Sequence, residues 1–255
     1  MSRDRPTPDA TPLLRSRGIS EEFDDKAKRY EDDRLGPWYQ AQGRWLLEEL
    51  GSVAGPVVDV GCGTGWFLRE LVRTQSGIRG VGVDLSSGMV DEARRRAAAE
   101  GSSSLRFVEA DWEGPEVEDR IALHLDAPPE LVTCISAFHY FADPSAALAR
   151  MRRVLAPGGR VFIIERAMDG STMTKIWDLL HRYVIRDGVE FHDSQGLMEM
   201  METAGFTEVE RVGDRRKLLW KGKLYTALTL VSGRAPEGST ASEGSTGHDA
   251  FDNDR

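Results

Sequence analysis

Cysteine is scarce. The 255 residues hold two, Cys62 and Cys134, far apart in the chain and in no C-x-x-C pair. That spacing argues against a zinc site, and no metal is expected. One disulfide between them is conceivable, but two reduced thiols in a cytoplasmic protein is the plainer reading. Long apolar runs are missing as well. None approaches the ~20 residues of a membrane span. Met1 to Arg17 carries prolines and charges without the apolar centre of a signal peptide. Positive charge is in deficit: 33 basic residues face 42 acidic ones, a formal charge of −9. An acidic chain has no general attraction for the phosphate backbone of nucleic acid. These absences lead to an expected soluble, cytoplasmic protein with neither nucleic acid nor membrane as partner. A monomer or homodimer is expected, and the sequence does not decide between them.

One further absence is local. Gly61 and Gly63 open a glycine-rich turn, but the place of the third glycine of a G-x-G-x-x-G dinucleotide fingerprint is taken by Trp66. The stretch instead reads Asp59-x-Gly61-x-Gly63-x-Gly65, preceded by the β-branched run Val57-Val58. An apolar run, a tight glycine turn and a helical pattern in succession predict strand, turn and helix. The glycines allow close backbone approach to a ligand, and the helix start offers free N–H groups.

Around that stretch the chain alternates. Strands are expected at 57–60, 80–84, 105–110, 131–136 and 161–165. Helices are expected between them at 64–74, 86–100, 116–125 and 143–155. Such alternation predicts parallel β-α-β units in a doubly wound α/β sheet. Ahead of it lie two helical patterns, Ser20 to Arg34 and one opening at Pro37. Beyond it the alternation stops. A helix is expected within 169–187 and another over 193–204. Two final strands follow, with Lys221-Gly222-Lys223 as a reversal. Residues 1–17 and 234–255 have the composition of disordered tails.

In an open parallel sheet, ligands bind at the carboxyl ends of the strands. The first strand presents Asp59 and the glycines there. The second presents Asp84, roughly 20 residues past Gly61, the interval of an acid that accepts ribose hydroxyls. Asp84 and Asp111 can equally serve as helix caps. The third strand presents Asp111 and Trp112, the fourth Cys134, Ile135 and then Phe138-His139-Tyr140. This series, with Val83-Asp84-Leu85-Ser86-x-x-Met89 and Leu155-Ala156-Pro157-Gly158-Gly159-Arg160, resembles the class I S-adenosylmethionine-dependent methyltransferases. The small-molecule branch, which includes the ubiquinone/menaquinone-biosynthesis type, is the nearer one. The N/D-P-P-Y/F motif of nucleic-acid and protein-glutamine enzymes is absent after strand four.

The resemblance implies a Rossmann-like, seven-stranded, mostly parallel sheet with helices on both faces and an antiparallel C-terminal hairpin. It implies one methyltransferase domain over 18–233, with lid helices at 18–50 and a variable substrate segment at 168–192. It implies S-adenosyl-L-methionine as cofactor. Asp59, Gly61, Cys62, Gly63 and Gly65 would hold the methionine end, and Asp84 the ribose. Leu85, Met89, Asp111 and Trp112 would surround the adenine, with Cys134 and Ile135 alongside. His139 is the candidate base, because an acceptor O–H or N–H must lose its proton; a structural histidine is the competing reading. Tyr30, Trp38, Trp177, His181 and Tyr183 are the candidate substrate residues, mixing apolar walls and polar handles as small-ligand pockets do. The expected reaction is methyl transfer to O, N or C of a small molecule, in specialised metabolism. The alternatives are a cofactor-binding non-transferase, such as a cyclase, and a macromolecule (RNA or protein) methyltransferase.

Overall fold

The central parallel strands are short, rich in valine and buried on both sides, as parallel strands covered by helices must be. β1 (Val57–Val60), β2 (Gly80–Asp84), β3 (Leu105–Glu109), β4 (Leu131–Ile135), β5 (Arg160–Arg166), β6 (Thr207–Arg215) and β9 (Leu228–Arg234) form one seven-stranded sheet. A computed structural model describes residues 12–33, 36–166, 191–215, 218–220, 223–225 and 228–238. The strand order is β3-β2-β1-β4-β5-β9-β6. β1 pairs in parallel with both β2 and β4, so the order reverses beside β1. β9 slots antiparallel between β5 and β6. The antiparallel ending is thus part of the main sheet. Within 217–231, expected as part of the final strands, the described residues instead include a separate two-stranded ribbon, β7 (Leu218–Trp220) with β8 (Lys223–Tyr225). Lys221 and Gly222 of the expected reversal lie outside the described residues.

Strand alternation sorts the core into two layers. Val58, Val60, Val81, Val83, Val132 and Cys134 face one side, under α5 (Val117–Ala122), α6 (Pro144–Val154) and α7 (Ser194–Thr203). Val57, Leu131, Phe107, Phe162 and Ile164 face the other, under α2 (Gly36–Leu50), α3 (Trp66–Thr74) and α4 (Ser87–Ala99). In β2 the valines serve the first layer. Gly80 and Gly82 face the second, where a Cβ on Gly82 would sit 2.7 Å from the Cys62 sulfur and from Phe107. The glycines let α3 and the turn before it lie close on the sheet.

Both tail boundaries shift outward, towards the chain ends. Helix α1 (Pro12–Asp24) begins inside the segment expected to be an unstructured tail, its proline in the first turn where no N–H is needed. The helical pattern from Ser20 breaks after Asp24, and a 3-10 turn, Ala27–Arg29, follows. At the other end Ala235 is buried and exchanges backbone hydrogen bonds with the 158–159 turn. Residues 234–238 therefore belong to the body.

Candidate active site

The reversal of strand order beside β1 opens a crevice at the carboxyl edge of the sheet. The glycine turn forms its floor. Gly61, Gly63 and Gly65 have φ of 69°, 54° and 74°, values that side chains rarely take. Gly61 and Gly63 line the crevice. Gly65 does not: it stands at the start of α3, and a Cβ there would overlap the Phe107 ring. Its use is packing helix on sheet.

Asp84 closes β2 and takes two backbone bonds. Its Oδ2 accepts from the Gly63 N–H at 2.7 Å and its Oδ1 from the Ser86 N–H at 2.9 Å. Ser86, rather than Asp84, caps α4, accepting from the Met89 N–H at 3.1 Å. Asp84 is thereby held on the crevice wall with lone pairs to spare for hydroxyl donors. Burial raises its pKa to about 6. Asp59 lies deeper, its Oδ1 accepting from the Thr133 hydroxyl at 2.7 Å, and burial raises it to about 7. Two carboxylates so placed prefer a ligand that brings donors or positive charge.

The crevice has two connected parts. One is lined by Asp84, Leu85, Met89, Asp111, Trp112 and Ile135, with Ile19 and Phe23 of α1 above them. The other holds Asp59, Cys62, Thr64 and Trp66. Tyr30, Gly61, Gly63 and Ile135 line both. Trp112 is also anchored, donating its indole N–H to the Ala147 carbonyl at 3.2 Å, so both expected roles, wall and core, apply. Asp111 accepts from the Glu113 N–H at 2.9 Å, fixing the turn rather than capping a helix. Tyr30 stacks on Tyr39 at 4.8 Å. Burial, and then Tyr39, push its hydroxyl well above the usual range, so it stays protonated as a donor.

The lid over the crevice is tied down by two carboxylates. Asp24 Oδ1 accepts from the Ser86 hydroxyl at 2.5 Å and the Gly88 N–H at 2.8 Å. Glu31 is paired with Arg69 at 2.5 Å and Arg96 at 3.1 Å, and accepts from the Thr64 hydroxyl at 2.6 Å. These two anchors flank Tyr30.

Past β4, His139 is buried with its Nδ1 2.8 Å from Glu165 Oε2. Its ring lies between Tyr140, at 4.2 Å, and Phe191, at 5.1 Å. Glu165 also accepts from the backbone N–H of His139 and of Arg166. Burial alone would raise Glu165, but the histidine and these bonds outweigh it and hold it below the usual carboxylate value. The acid fixes the ring, leaving Nε2 as the nitrogen that can take a proton. Beside it Ser136 has a φ of 53°, a strained value for a residue with a side chain, at the crevice wall.

Several expected site residues stand elsewhere. Cys134 is 0% exposed and lines neither part of the crevice. It pairs with Val60 and shares its face of the sheet, inside the core. Both thiols are free; Cys62 lines the second part but leans on Gly82 as core. Trp38 is buried against Arg166 rather than on the crevice lining. His139 also lies behind the lining, beside Tyr140. Trp177, His181 and Tyr183 fall outside the described residues. Sequence reasoning missed Phe23, Gln42 and Glu165. Glu165 had a signal, an acid closing the apolar run Val161–Ile164 as Asp84 closes β2. Among the described residues, no group of three or more His, Cys, Asp or Glu could hold a metal, and no helix is long and apolar enough to cross a membrane.

With this geometry in view, comparison with known proteins is direct. A family model described as a methyltransferase domain matches residues 29–211. Demethylmenaquinone methyltransferase of Deinococcus radiodurans is 33% identical over 72% of this chain and 74% of its own length. Aklanonic acid methyltransferase of Streptomyces sp. (strain C5) is 31% identical over 56% of this chain and 62% of its own. A solved structure of Haemonchus contortus phosphoethanolamine N-methyltransferase 2, in complex with phosphomonomethylethanolamine and S-adenosylhomocysteine, superposes with a TM-score of 0.65. It covers 87% of this chain and 59% of that one at 16% identity, a likeness of fold.

Proposed function

Because the chain belongs to the class I methyltransferase family, whose cofactor is S-adenosyl-L-methionine, we propose that it methylates a small molecule at O, N or C in the cytoplasm. The observation that carries this reading is the lidded crevice itself. Its floor is the glycine turn, its wall is Asp84, and the tied-down N-terminal segment sets Ile19, Phe23 and Tyr30 along it, making a crevice of small-ligand size.

The crevice residues fit the cofactor. Asp84 offers acceptors for two ribose hydroxyls, and Leu85, Met89, Asp111 and Trp112 make a half-apolar slot for a planar base. Asp59 and the glycine turn sit where an ammonium and a carboxylate would be met. Bound there, the cofactor supplies a methyl already activated on a sulfonium. The rest is positioning: holding the acceptor in line and excluding water, which can account for much of the rate. Tyr30 and Phe23 cover the site. His139, its Nδ1 engaged by Glu165, stands behind Tyr140 of the lining rather than on it, and is the base we propose for an acceptor that reaches its Nε2 past that ring.

The test is turnover. Purified protein with S-adenosylmethionine and a library of quinols, phenols and carboxylic acids should release S-adenosylhomocysteine with one class of acceptor. Calorimetry should show one cofactor site per chain and no binding of NADH. Tight NADH binding without sulfonium binding would sink the reading.

A further inference from the structure

One turn apart on the same face of α2, Trp38 and Gln42 reach over the ends of β5 and β4. Gln42 is 0% exposed, and its Oε1 accepts from the Ser136 hydroxyl at 2.6 Å, while its Nε2 has no partner. Trp38 is 5% exposed, and its indole N–H likewise has none. The Arg166 guanidinium lies 5.3 Å from the Trp38 ring and 5.7 Å from the Phe191 ring. Among the described residues it has no ion pair; the nearby Glu165 spends its oxygens on His139 and on backbone N–H groups. Buried donors without acceptors are costly, and here two of them stand with the half-buried Arg166 guanidinium over two adjacent strand ends.

We propose that Arg166, the Trp38 indole N–H and the Gln42 amide form a subsite for an anionic oxygen of the methyl acceptor, a carboxylate. The inference rests on the methyltransferase reading and names the acceptor class. A guanidinium held between two rings presents its N–H fork in a fixed plane, the geometry that binds a carboxylate bidentately. A carboxylate also brings enough lone pairs for the indole and amide donors. Phe191 touches both Arg166 and His139, so the anion site and the base stand one ring apart. An acceptor with a hydroxyl beside its carboxylate would meet both. Ser136, strained and spent on Gln42, sets the amide's orientation at the crevice wall.

The test uses paired probes: 2-hydroxybenzoate with 2-hydroxybenzamide, and 1-hydroxy-2-naphthoate with its amide. Binding is measured by calorimetry on the full chain saturated with S-adenosylhomocysteine. At least one acid should bind tenfold or more tighter than its amide. Arg166→Gln should abolish the preference. Trp38→Phe and Gln42→Leu should reduce it severalfold, with S-adenosylhomocysteine affinity within about threefold of wild type. The indole N–H resonance assigned to Trp38 should shift on titrating the acid. No acid outbinding its amide, or variants that keep the preference, would overturn the subsite. Saturation is read first. Failure to bind S-adenosylhomocysteine would refute the cofactor reading, and the acid–amide comparison on the unliganded protein would then decide the subsite alone.

Discussion

Asp84 is a single carboxylate with two demands on it. It holds the glycine turn through Gly63 and would accept two ribose hydroxyls. Hydrogen bonds to a charged group are worth about 1.5–3 kcal/mol each, so Asp84→Ala should weaken cofactor binding on the order of tenfold to several hundredfold by calorimetry. Its pKa of about 6 adds a pH signature. The ligand's hydroxyls favour the ionised acid, so protons compete with it. Asp59, raised to about 7 and facing the ligand's ammonium, acts in the same sense, so affinity should fall as pH drops from 8 towards 5, and binding should release protons, read as a dependence of the heat on buffer ionisation. Affinity that is constant over this range would mean that both acids are already ionised throughout. His139 differs because its role is kinetic. His139→Ala should lower the methylation rate at neutral pH and recover part of it at higher pH, where the acceptor ionises unaided, with cofactor affinity little changed. A rate loss equal at all pH values would make the Glu165–His139 pair structural.

At the scale of elements, the lid is coupled to the crevice through ion pairs. Glu31 is 9% exposed and bonds Arg69 of α3, Arg96 of α4 and Thr64 of the glycine turn. Removing one partner of a buried pair leaves charge uncompensated. Glu31→Gln should therefore speed backbone amide exchange over residues 18–33 and raise the cofactor dissociation rate severalfold, while exchange in β1 and β4 stays slow. Unchanged exchange over 18–33 would show that apolar packing by Phe23 and Tyr30 holds the lid alone. None of this coupling could be read from the chain. Glu31 lies among charges, Glu31-Asp32-Asp33-Arg34, and nothing local distinguishes the acid that folds under from those that stay wet. The elements themselves were legible. Short apolar runs gave the five parallel strands, four of them ended by an acid or a glycine and β4 by Ser136, and Asp143-Pro144 marked the start of α6, where Asp143 caps Ala146 at 2.9 Å. The α1 boundary was not, because a proline-rich start reads as a tail until α1 is seen packing on α4.

For the whole molecule, the carboxyl edge was legible and its depth was not. Strand order puts Asp59, Asp84, Asp111 and Ile135 at one edge, and all four line the crevice. Whether a residue one step along a strand faces the ligand or the core depends on register. Cys134 and Ile135 are neighbours with opposite fates. Glu165 and His139 meet only because β4 and β5 are adjacent, a fact of topology. The same distinction governs where the chain can be shortened. β9 is the strand that joins β6 to the parallel half of the sheet, and it ends at Arg234. Beyond it the Ala235 N–H donates to the Gly159 carbonyl at 2.8 Å, and its carbonyl accepts from the Gly158 N–H at 3.1 Å. Arg234 donates to Glu208 at 2.7 Å and to the Gly158 carbonyl at 3.1 Å. A chain of residues 12–238 keeps all of these and should melt within about 2 °C of the full chain with the same cofactor affinity, since the segments removed are polar and poor in apolar side chains. A chain ending at residue 233 loses them together with a buried alanine. At about 1 kcal/mol per net hydrogen bond, it should melt several degrees lower in scanning calorimetry. Equal melting of the two truncations would place the edge of the fold before Arg234, and a large loss in the 12–238 chain would show that a removed segment packs on the body.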